Sequence, residues 1–422
     1  MPIKRNVPVT AHVRSQRLVL SFPVFFALEL TPVCNNYCPG CGNVFTQNHT
    51  PPPLSAIQWQ EICAELRPHI HRLKLTGGEP TLHPEFKVVI TTLRELQVPF
   101  ALFTNARWHD PTDLVTFLQT VPQCRGLLVS LHGATDASHE AFTCVPGSFA
   151  ETCANIRRAV AAGLNVTTST VVTGYNWYDI EDIARLSQKL GANHAVFNRY
   201  LGNPLPQIEP DEGQLRQAVE TIDRLRRQGR QVKFGNCIPQ CFYPSSSTGC
   251  LAGVAYCTID PWGNVRPCNH APLVCGNLLE QSTEEIWHGE AMNHWRGMIA
   301  EQCWHCVELP RCHGGCRAVA MIQGIERDPL MRPPIMEREH RSPEELVLYE
   351  GAHPVGRYTL RVEEFGYVLV RGSYIVPVAA AARSVLDACD GKTSLLQLQE
   401  HFGQEALDFV GSLVQKGLIE LR

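Results

Sequence analysis

The chain has 422 residues and weighs 47.1 kDa, more than one typical domain and enough for roughly two or three. Hydrophobic residues make up 44% and charged residues 18%, so a sizeable core can form and general disorder is excluded. Lys+Arg 37 against Asp+Glu 41 leave a formal net charge of -4, which argues against a general nucleic-acid or anionic-membrane binder. The longest apolar run, Leu18–Leu30, is broken by Pro23, cannot cross a bilayer and lacks a small-residue cleavage site. A cytoplasmic, multidomain protein is expected.

In chain order, a strand-like run is followed by a helix-like run six times between about residues 24 and 230. The strands fall near Val24–Thr31, Arg72–Thr76, Val98–Thr104, Leu127–Leu131, Asn165–Val172 and His194–Tyr200, apolar and poor in charge as buried parallel strands should be. Ser55 with Gln58 predicts a capping box before Ile57–Leu66, and Ser148 with Glu151 another before Phe149–Ala162. This alternation predicts right-handed crossovers and an α/β partial (β/α)6 barrel occupying residues 1–235. In such a sheet the chemistry belongs on loops at the carboxyl ends of strands. Three cysteines, Thr76-Gly77-Gly78-Glu79-Pro80, Thr104-Asn105, Ser130, Asn176 and Arg199 all fall there.

Residues 236–325 change to short strands with many Pro, Gly and Cys. Residues 326–353 read as a linker holding one short helix capped by Ser342 and Glu345. Residues 354–422 form a small unit: strands Arg357–Val362, Tyr367–Val370 and Tyr374–Val376, then helices near Val378–Ala388, Ser394–Phe402 and Gln404–Gln415.

Eighteen cysteines are many for a reducing compartment, where short spacings point first to metal ligation. Cys63, Cys124, Cys153 and Cys389 stand alone and read as small core residues. Cys34-x3-Cys38-x2-Cys41 puts three thiols on one loop. Three ligands leave one iron of a four-iron cubane free for a substrate or cofactor, whereas a structural zinc site prefers four ligands. The spacing resembles the radical S-adenosylmethionine (radical SAM) superfamily, and the resemblance runs over residues 24–230. It implies a SAM-binding 4Fe–4S cluster on Cys34, Cys38 and Cys41, and reductive cleavage of SAM to a 5′-deoxyadenosyl radical that abstracts hydrogen. It also implies SAM contacts from Tyr37 at the adenine, Gly77, Gly78 and Glu79 at the methionyl ammonium, and Ser130, Asn105 and Arg199 at ribose and carboxylate. A flavodoxin- or ferredoxin-type electron donor is implied as a partner.

Cys303-x2-Cys306-x5-Cys312-x3-Cys316, with Cys250-x12-Gly263-x4-Cys268 upstream, resembles the SPASM extension that carries auxiliary iron–sulfur clusters; a zinc ribbon is the alternative. Asp260-Pro261-Trp262-Gly263 suits a type I turn, folding Tyr256–Ile259 onto Val265–Cys268 and setting Cys257 opposite Cys268, backbones about 5 Å apart. The resemblance implies Cys250, Cys257, Cys268 and Cys316 on a nearer cluster, and Cys303, Cys306 and Cys312 on a farther one. The farther set lacks its usual last cysteine. Asp328, Glu337, Glu339 and His340 lie in that window, and Cys237, Cys241 and Cys275 are spare thiols. Asn269 stands where sulfatase-maturing relatives have an aspartate base, and an amide cannot take a proton at neutral pH.

The C-terminal unit resembles a PqqD-like peptide-recognition domain of winged-helix type. From Arg357 onward seven Lys+Arg against eight Asp+Glu give -1, without the basic excess of a DNA binder. The combination implies a maturase of a ribosomal precursor peptide captured through its leader, with no nucleic acid or membrane partner. The rival readings are a SPASM-type enzyme acting on a small molecule, such as a tetrapyrrole side-chain decarboxylase, an iron–sulfur redox sensor binding DNA, and a zinc-held adaptor.

Overall fold

The computed structural model describes residues 2–5, 19–43, 52–244, 246, 249–337, 346–372 and 374–422. It divides into two compact units, Phe22–Met336 and the pair Met1–Ser21 with Glu337–Arg422.

After β1 (Pro2–Arg5), the chain lays down β2 (Phe25–Glu29), β3 (Arg72–Thr76), β4 (Phe100–Thr104) and β5 (Cys124–Ser130). β6 (Val166–Val172), β7 (His194–Arg199) and β8 (Val232–Phe234) continue the series. β9 (Tyr256–Ile259), β10 (Asn264–Arg266) and β11 (Gly276–Asn277) join the other edge, giving one sheet ordered β11-β10-β9-β2-β3-β4-β5-β6-β7-β8. Strands β9 and β2 through β8 are parallel to their neighbours, while β10 and β11 run antiparallel. The six expected strands are thus present but extended at both ends. β8 has only three residues and does not show in a local pattern; β9 was expected as a hairpin strand, but not its parallel return to β2 from far along the chain.

Burial alternates along β4, β6 and β7. On β6 the outward face is closed by helix Ile180–Lys189, where Thr168 and Ser187 share a 2.7 Å hydroxyl contact. Thr167, Ser169 and Val171, on the other face, are half-buried. Ile180, Ile183, Leu215, Val219 and Ile222 pack with Phe197 and Val232 to form the helix–sheet core on this side.

Local signals behave as their chemistry requires, with one exception. Ser55 and Gln58 make the reciprocal capping box before helix Ala56–Leu66. Ser148 does not cap: it lies inside helix Ser148–Ala161, whose N-cap is Gly147 at φ 81, and its hydroxyl is 2.7 Å from that of Thr143. A left-handed entry after the tight Val145-Pro146 turn takes the place of the side-chain cap.

In the cysteine-rich stretch, the Asp260 carboxylate accepts from the Trp262 and Asn264 N–H groups at 2.9 and 3.0 Å, closing the expected turn. The expected hairpin pairs Val265 with Ile259 and Arg266 with Thr258, but β10 stops there: Pro267 and Cys268 lie in a bend beyond the ladder, so Cys268 is not set across a strand pair from Cys257.

The other unit pairs β1 with β12 (Leu346–Tyr349), antiparallel. β13 (Pro354–Gly356) pairs with the final strand, and β14 (Thr359–Glu363), β15 (Gly366–Arg371) and β16 (Tyr374–Ala379) form a meander. Helices Arg383–Asp387 and Leu395–Gln415 follow, the second kinked at Gly403, φ 80, where the sequence divides two helices. β17 (Ile419–Leu421) ends the chain against β13. The expected helix near Val378–Ala388 is shorter because β16 runs on to Ala379, and strand β12 occupies part of the expected linker. The linker helix capped by Ser342 and Glu345 lies outside the described residues. Leu369, Val378, Leu386, Leu398, Leu407 and Val410 build this unit's own core.

Candidate iron–sulfur active site

The loop leaving β2 carries Cys34, Cys38 and Cys41. It is held from the side by Arg107, whose Nη1 donates to the Asn35 carbonyl at 2.5 Å and the Asn36 side chain at 2.9 Å while Nε pairs with Glu151 at 2.8 Å. The Cys34 sulfur accepts the Asn36 N–H at 3.4 Å and the Asn105 amide at 3.7 Å. The Cys41 N–H donates to the Cys38 carbonyl at 3.2 Å, folding the loop back on itself. Burial pushes the Cys34 thiol up to about 11 and Cys38 higher still, and the thiols raise one another because their charges would be close. Three crowded thiols gain by deprotonating only against a strong positive centre, so this donor set fits a thiolate-bound iron–sulfur cluster. Tyr37, on the same loop, is exposed.

The β3 loop packs against this one through bare backbone. The Gly78 and Glu79 N–H groups donate to the Thr31 and Val33 carbonyls, each at 2.7 Å, and the Asn43 amide donates to the Gly77 carbonyl at 2.7 Å. A Cβ on Gly77, φ +141, would lie 2.6 Å from the Thr31 oxygen, and one on Gly78 2.2 Å from the Val33 oxygen. Both glycines are therefore required by approach of chain to chain.

Glu79 is fully buried. Its carboxylate accepts from the Thr81 hydroxyl at 2.7 Å, the Thr104 hydroxyl at 2.8 Å and the Asn105 N–H at 2.7 Å. It ties the β3 loop to the end of β4, and among the described residues its Oε2 accepts the Asn105 N–H alone. Asn105 is doubly placed, its N–H on Glu79 and its side chain on Asn35 at 2.6 Å and Cys34. Ser130 ends β5 on the same rim, half-buried beside Ser169. Arg199, expected at the cofactor, is engaged elsewhere: Nη1 pairs with Asp328 at 3.0 Å, both side chains buried. The same guanidinium lies near Cys316 and Cys237.

Sequence reasoning missed a polar group inside the barrel. Glu29, at the end of β2, contacts Arg266 and accepts from the Asn269 amide at 2.8 Å. Asn269 in turn receives the Tyr256 hydroxyl, and Thr258 donates to that hydroxyl at 3.0 Å. Burial raises Glu29 to about 7 despite Arg266. Lys74, 5.0 Å from the Tyr256 ring centroid and 5.1 Å from that of Phe103, is lowered to about 8 by desolvation and Arg72. A lone carboxylate in the apolar run Phe25-Phe26-Ala27-Leu28-Glu29-Leu30 was the available signal.

Beyond the barrel the thiols sort into neighbourhoods. Cys241, Cys303, Cys306 and Cys312 all line one pocket that opens to solvent. Cys268 and Cys316 each lie close to Cys250, as does Cys237. Cys257 lies instead beside Cys275 and Arg296. Among the described residues no group of three or more His, Cys, Asp or Glu converges as a site for a single metal ion. A zinc ion with 2.3 Å bonds would draw four thiolates to within about 4 Å of one another. Of the isolated cysteines, Cys63, Cys153 and Cys389 are buried and Cys124 is half-buried.

With this geometry, comparison with known proteins defines the class. The radical SAM superfamily signature matches residues 28–187, and the iron–sulfur cluster-binding SPASM domain matches residues 250–307. The chain carries these two domains and is an iron–sulfur enzyme whose cofactors are a 4Fe–4S cluster, S-adenosylmethionine and auxiliary iron–sulfur clusters. It is similar to the mycofactocin maturase MftC of Mycobacterium ulcerans, 28% identical over 325 residues, covering 73% of this chain and 87% of that protein. The AdoMet-dependent heme synthase of Methanosarcina barkeri is 26% identical, covering 71% and 92%. In fold it is similar to Streptococcus suis SuiB bound to its precursor peptide SuiA, TM-score 0.64 at 18% identity, covering 74% of this chain and 76% of that one. No helix among the described residues is long and apolar enough to cross a membrane.

Proposed function

We propose that this enzyme modifies a ribosomally made precursor peptide and captures it with its C-terminal unit. The observation that carries the reading is the rim: the loop of Cys34, Cys38 and Cys41 meets Gly77-Gly78 backbone to backbone at the carboxyl ends of β2 and β3. A cluster on those three cysteines supplies, with S-adenosylmethionine, a hydrogen-abstracting radical; its electron comes from a flavodoxin- or ferredoxin-type partner. Asn105 and the Asn36 N–H hold the Cys34 sulfur in place, and Glu79 locks the two loops together. Tyr37, Ser130 and the Gly77–Gly78 backbone line the cofactor's place. Glu29, with Tyr256 and Asn269, can hold or release a proton inside the barrel near neutral pH, the work for which Asn269 alone is unfit.

The likeness to MftC supports a peptide substrate. So does the small C-terminal unit, which we read as a PqqD-like, winged-helix-type recognition element. Its meander β14-β15-β16 has two outer strands, each with a backbone edge not paired within that sheet, where a leader strand can add. The likeness to a heme synthase favours a small-molecule substrate instead, which would leave this unit without a purpose. We place the enzyme in the cytoplasm, where its thiols stay reduced.

The test is anaerobic reconstitution of the full chain with iron, sulfide, a reductant and S-adenosylmethionine. 5′-Deoxyadenosine should form, and should vanish when Cys34, Cys38 and Cys41 are all replaced by Ala. Adding a candidate precursor peptide should yield a product of changed mass only with its leader attached. Cleavage persisting in the triple variant would overturn the reading.

A further inference from the structure

We propose that Cys241 supplies the missing ligand of the farther auxiliary cluster, giving the set Cys241, Cys303, Cys306 and Cys312, and that Cys237 replaces Cys257 in the nearer set with Cys250, Cys268 and Cys316. The inference rests on the SPASM reading and goes beyond its sequence pattern, which names neither Cys237 nor Cys241.

The pocket carries the first half. Four cysteines from three segments face one space: Cys241 on the loop after β8, Cys303 and Cys306 on the turn Glu301–His305 and its end, and Cys312 at the end of helix Leu309–Cys312. The sulfurs are also supplied with donors. The Arg332 N–H donates to the Cys241 sulfur at 3.2 Å. The backbone of Gln240, Gly314 and Gly315 lies beside the Cys312 sulfur and favours its thiolate, as suits a cluster ligand. Of the other residues expected in the window, Asp328 is bonded to Arg199 and to the Cys316 N–H at 2.8 Å and Glu337 is exposed, while Glu339 and His340 are not described.

The second half follows from how Cys237 is positioned. Asn236, its neighbour, exchanges two 2.9 Å hydrogen bonds with the backbone of Arg199. Arg199 pairs with Asp328, and Asp328 holds the Cys316 N–H, so Cys237 and Cys316 are pinned to one buried ion pair. Arg317 Nη2 lies 3.8 Å from the Cys250 sulfur on the same side. Arg199 Nε is buried with no hydrogen-bond partner among the described residues, and a cluster sulfide is an acceptor that would satisfy it. Cys257 lies with Cys275 beside Arg296, whereas Cys268 lies close to Cys250 and Cys316.

The experiment uses the full chain with Cys34, Cys38 and Cys41 replaced by Ala, so that only auxiliary clusters report. After anaerobic reconstitution, iron, sulfide and low-temperature electron paramagnetic resonance are measured per chain. The background should hold about eight irons in two four-iron clusters. Adding Cys241→Ala should halve the iron or change the spectrum of one cluster, and Cys237→Ala should do the same to the other. Cys257→Ala should leave count and spectra as in the background, and it controls for loss of a buried thiol as such. Cys241→Ala and Cys237→Ala indistinguishable from background, or Cys257→Ala alone losing a cluster, overturns the assignment. A background holding no iron overturns the SPASM reading itself, a separate outcome.

Discussion

Gly78→Ala tests the contact between the cysteine loop and the β3 loop. The new methyl would lie 2.2 Å from the Val33 oxygen, 2.6 Å from its carbon and 2.7 Å from the Pro32 oxygen, all backbone. Ordinary carbon–oxygen contacts begin near 3.3 Å, so one loop must retreat by about 1 Å. That movement breaks or stretches the 2.7 Å bond from the Glu79 N–H to the Val33 carbonyl, one residue before Cys34. Overpacking of this kind costs roughly 1–3 kcal/mol, within what a domain of this size survives. The larger effect is on rate, since a displacement of about 1 Å in a reacting constellation can cost on the order of a hundredfold. The assay is 5′-deoxyadenosine formation at saturating S-adenosylmethionine, with iron content and a urea midpoint measured on the same sample. Gly297→Ala is the control, a helical glycine whose added Cβ meets nothing within 4 Å. A Gly78→Ala enzyme that forms 5′-deoxyadenosine at the wild-type rate would refute the steric argument.

Three further outcomes are expected. Arg199→Met should destabilise the protein by about 3–5 kcal/mol because it leaves Asp328 buried and unpaired; Arg199→Met with Asp328→Leu should recover part of this, and equal costs in a denaturation series would count against it. His132 is buried, accepts the Val171 N–H at 3.2 Å and is lowered to about 3, chiefly by burial. The unfolded chain therefore binds its proton first, and stability is full above pH 6.5 and falls below it, by up to about 1.4 kcal/mol per pH unit; His132→Gln should flatten that slope in urea titrations between pH 7.5 and 5.5, and an unchanged slope would exclude the assignment. Deleting residues after 353 should abolish leader binding while sparing uncoupled S-adenosylmethionine cleavage. A separate fragment must begin by residue 346, because Ala352 and Glu350 carbonyls receive the first N–H groups of helix Leu395–Gln415, and it should bind leader with little salt dependence. Equal peptide processing by the truncated enzyme, or a preference of the fragment for duplex DNA, would defeat the recognition proposal.

The amino-acid sequence by itself determined what depends on near neighbours. Cys34, Cys38 and Cys41 share one loop whatever the fold does around them, and Gly77-Gly78 announces a backbone approach because no side chain is there to prevent it. Strand–helix alternation likewise predicted the parallel core from β2 to β7. Tertiary structure alone decided where strands end and which distant groups meet. β10 ends at Arg266, so Cys268 leaves the ladder before it can face Cys257, which lies beside Cys275 and Arg296 instead; where a short strand stops is not set by its own residues alone. Arg199 was drawn to Asp328 across 129 positions, and Cys241 to a pocket whose other thiols begin at Cys303. Such meetings are set by where whole elements pack, since burying a charge or gathering thiols is favourable only once partners from distant segments have closed around them.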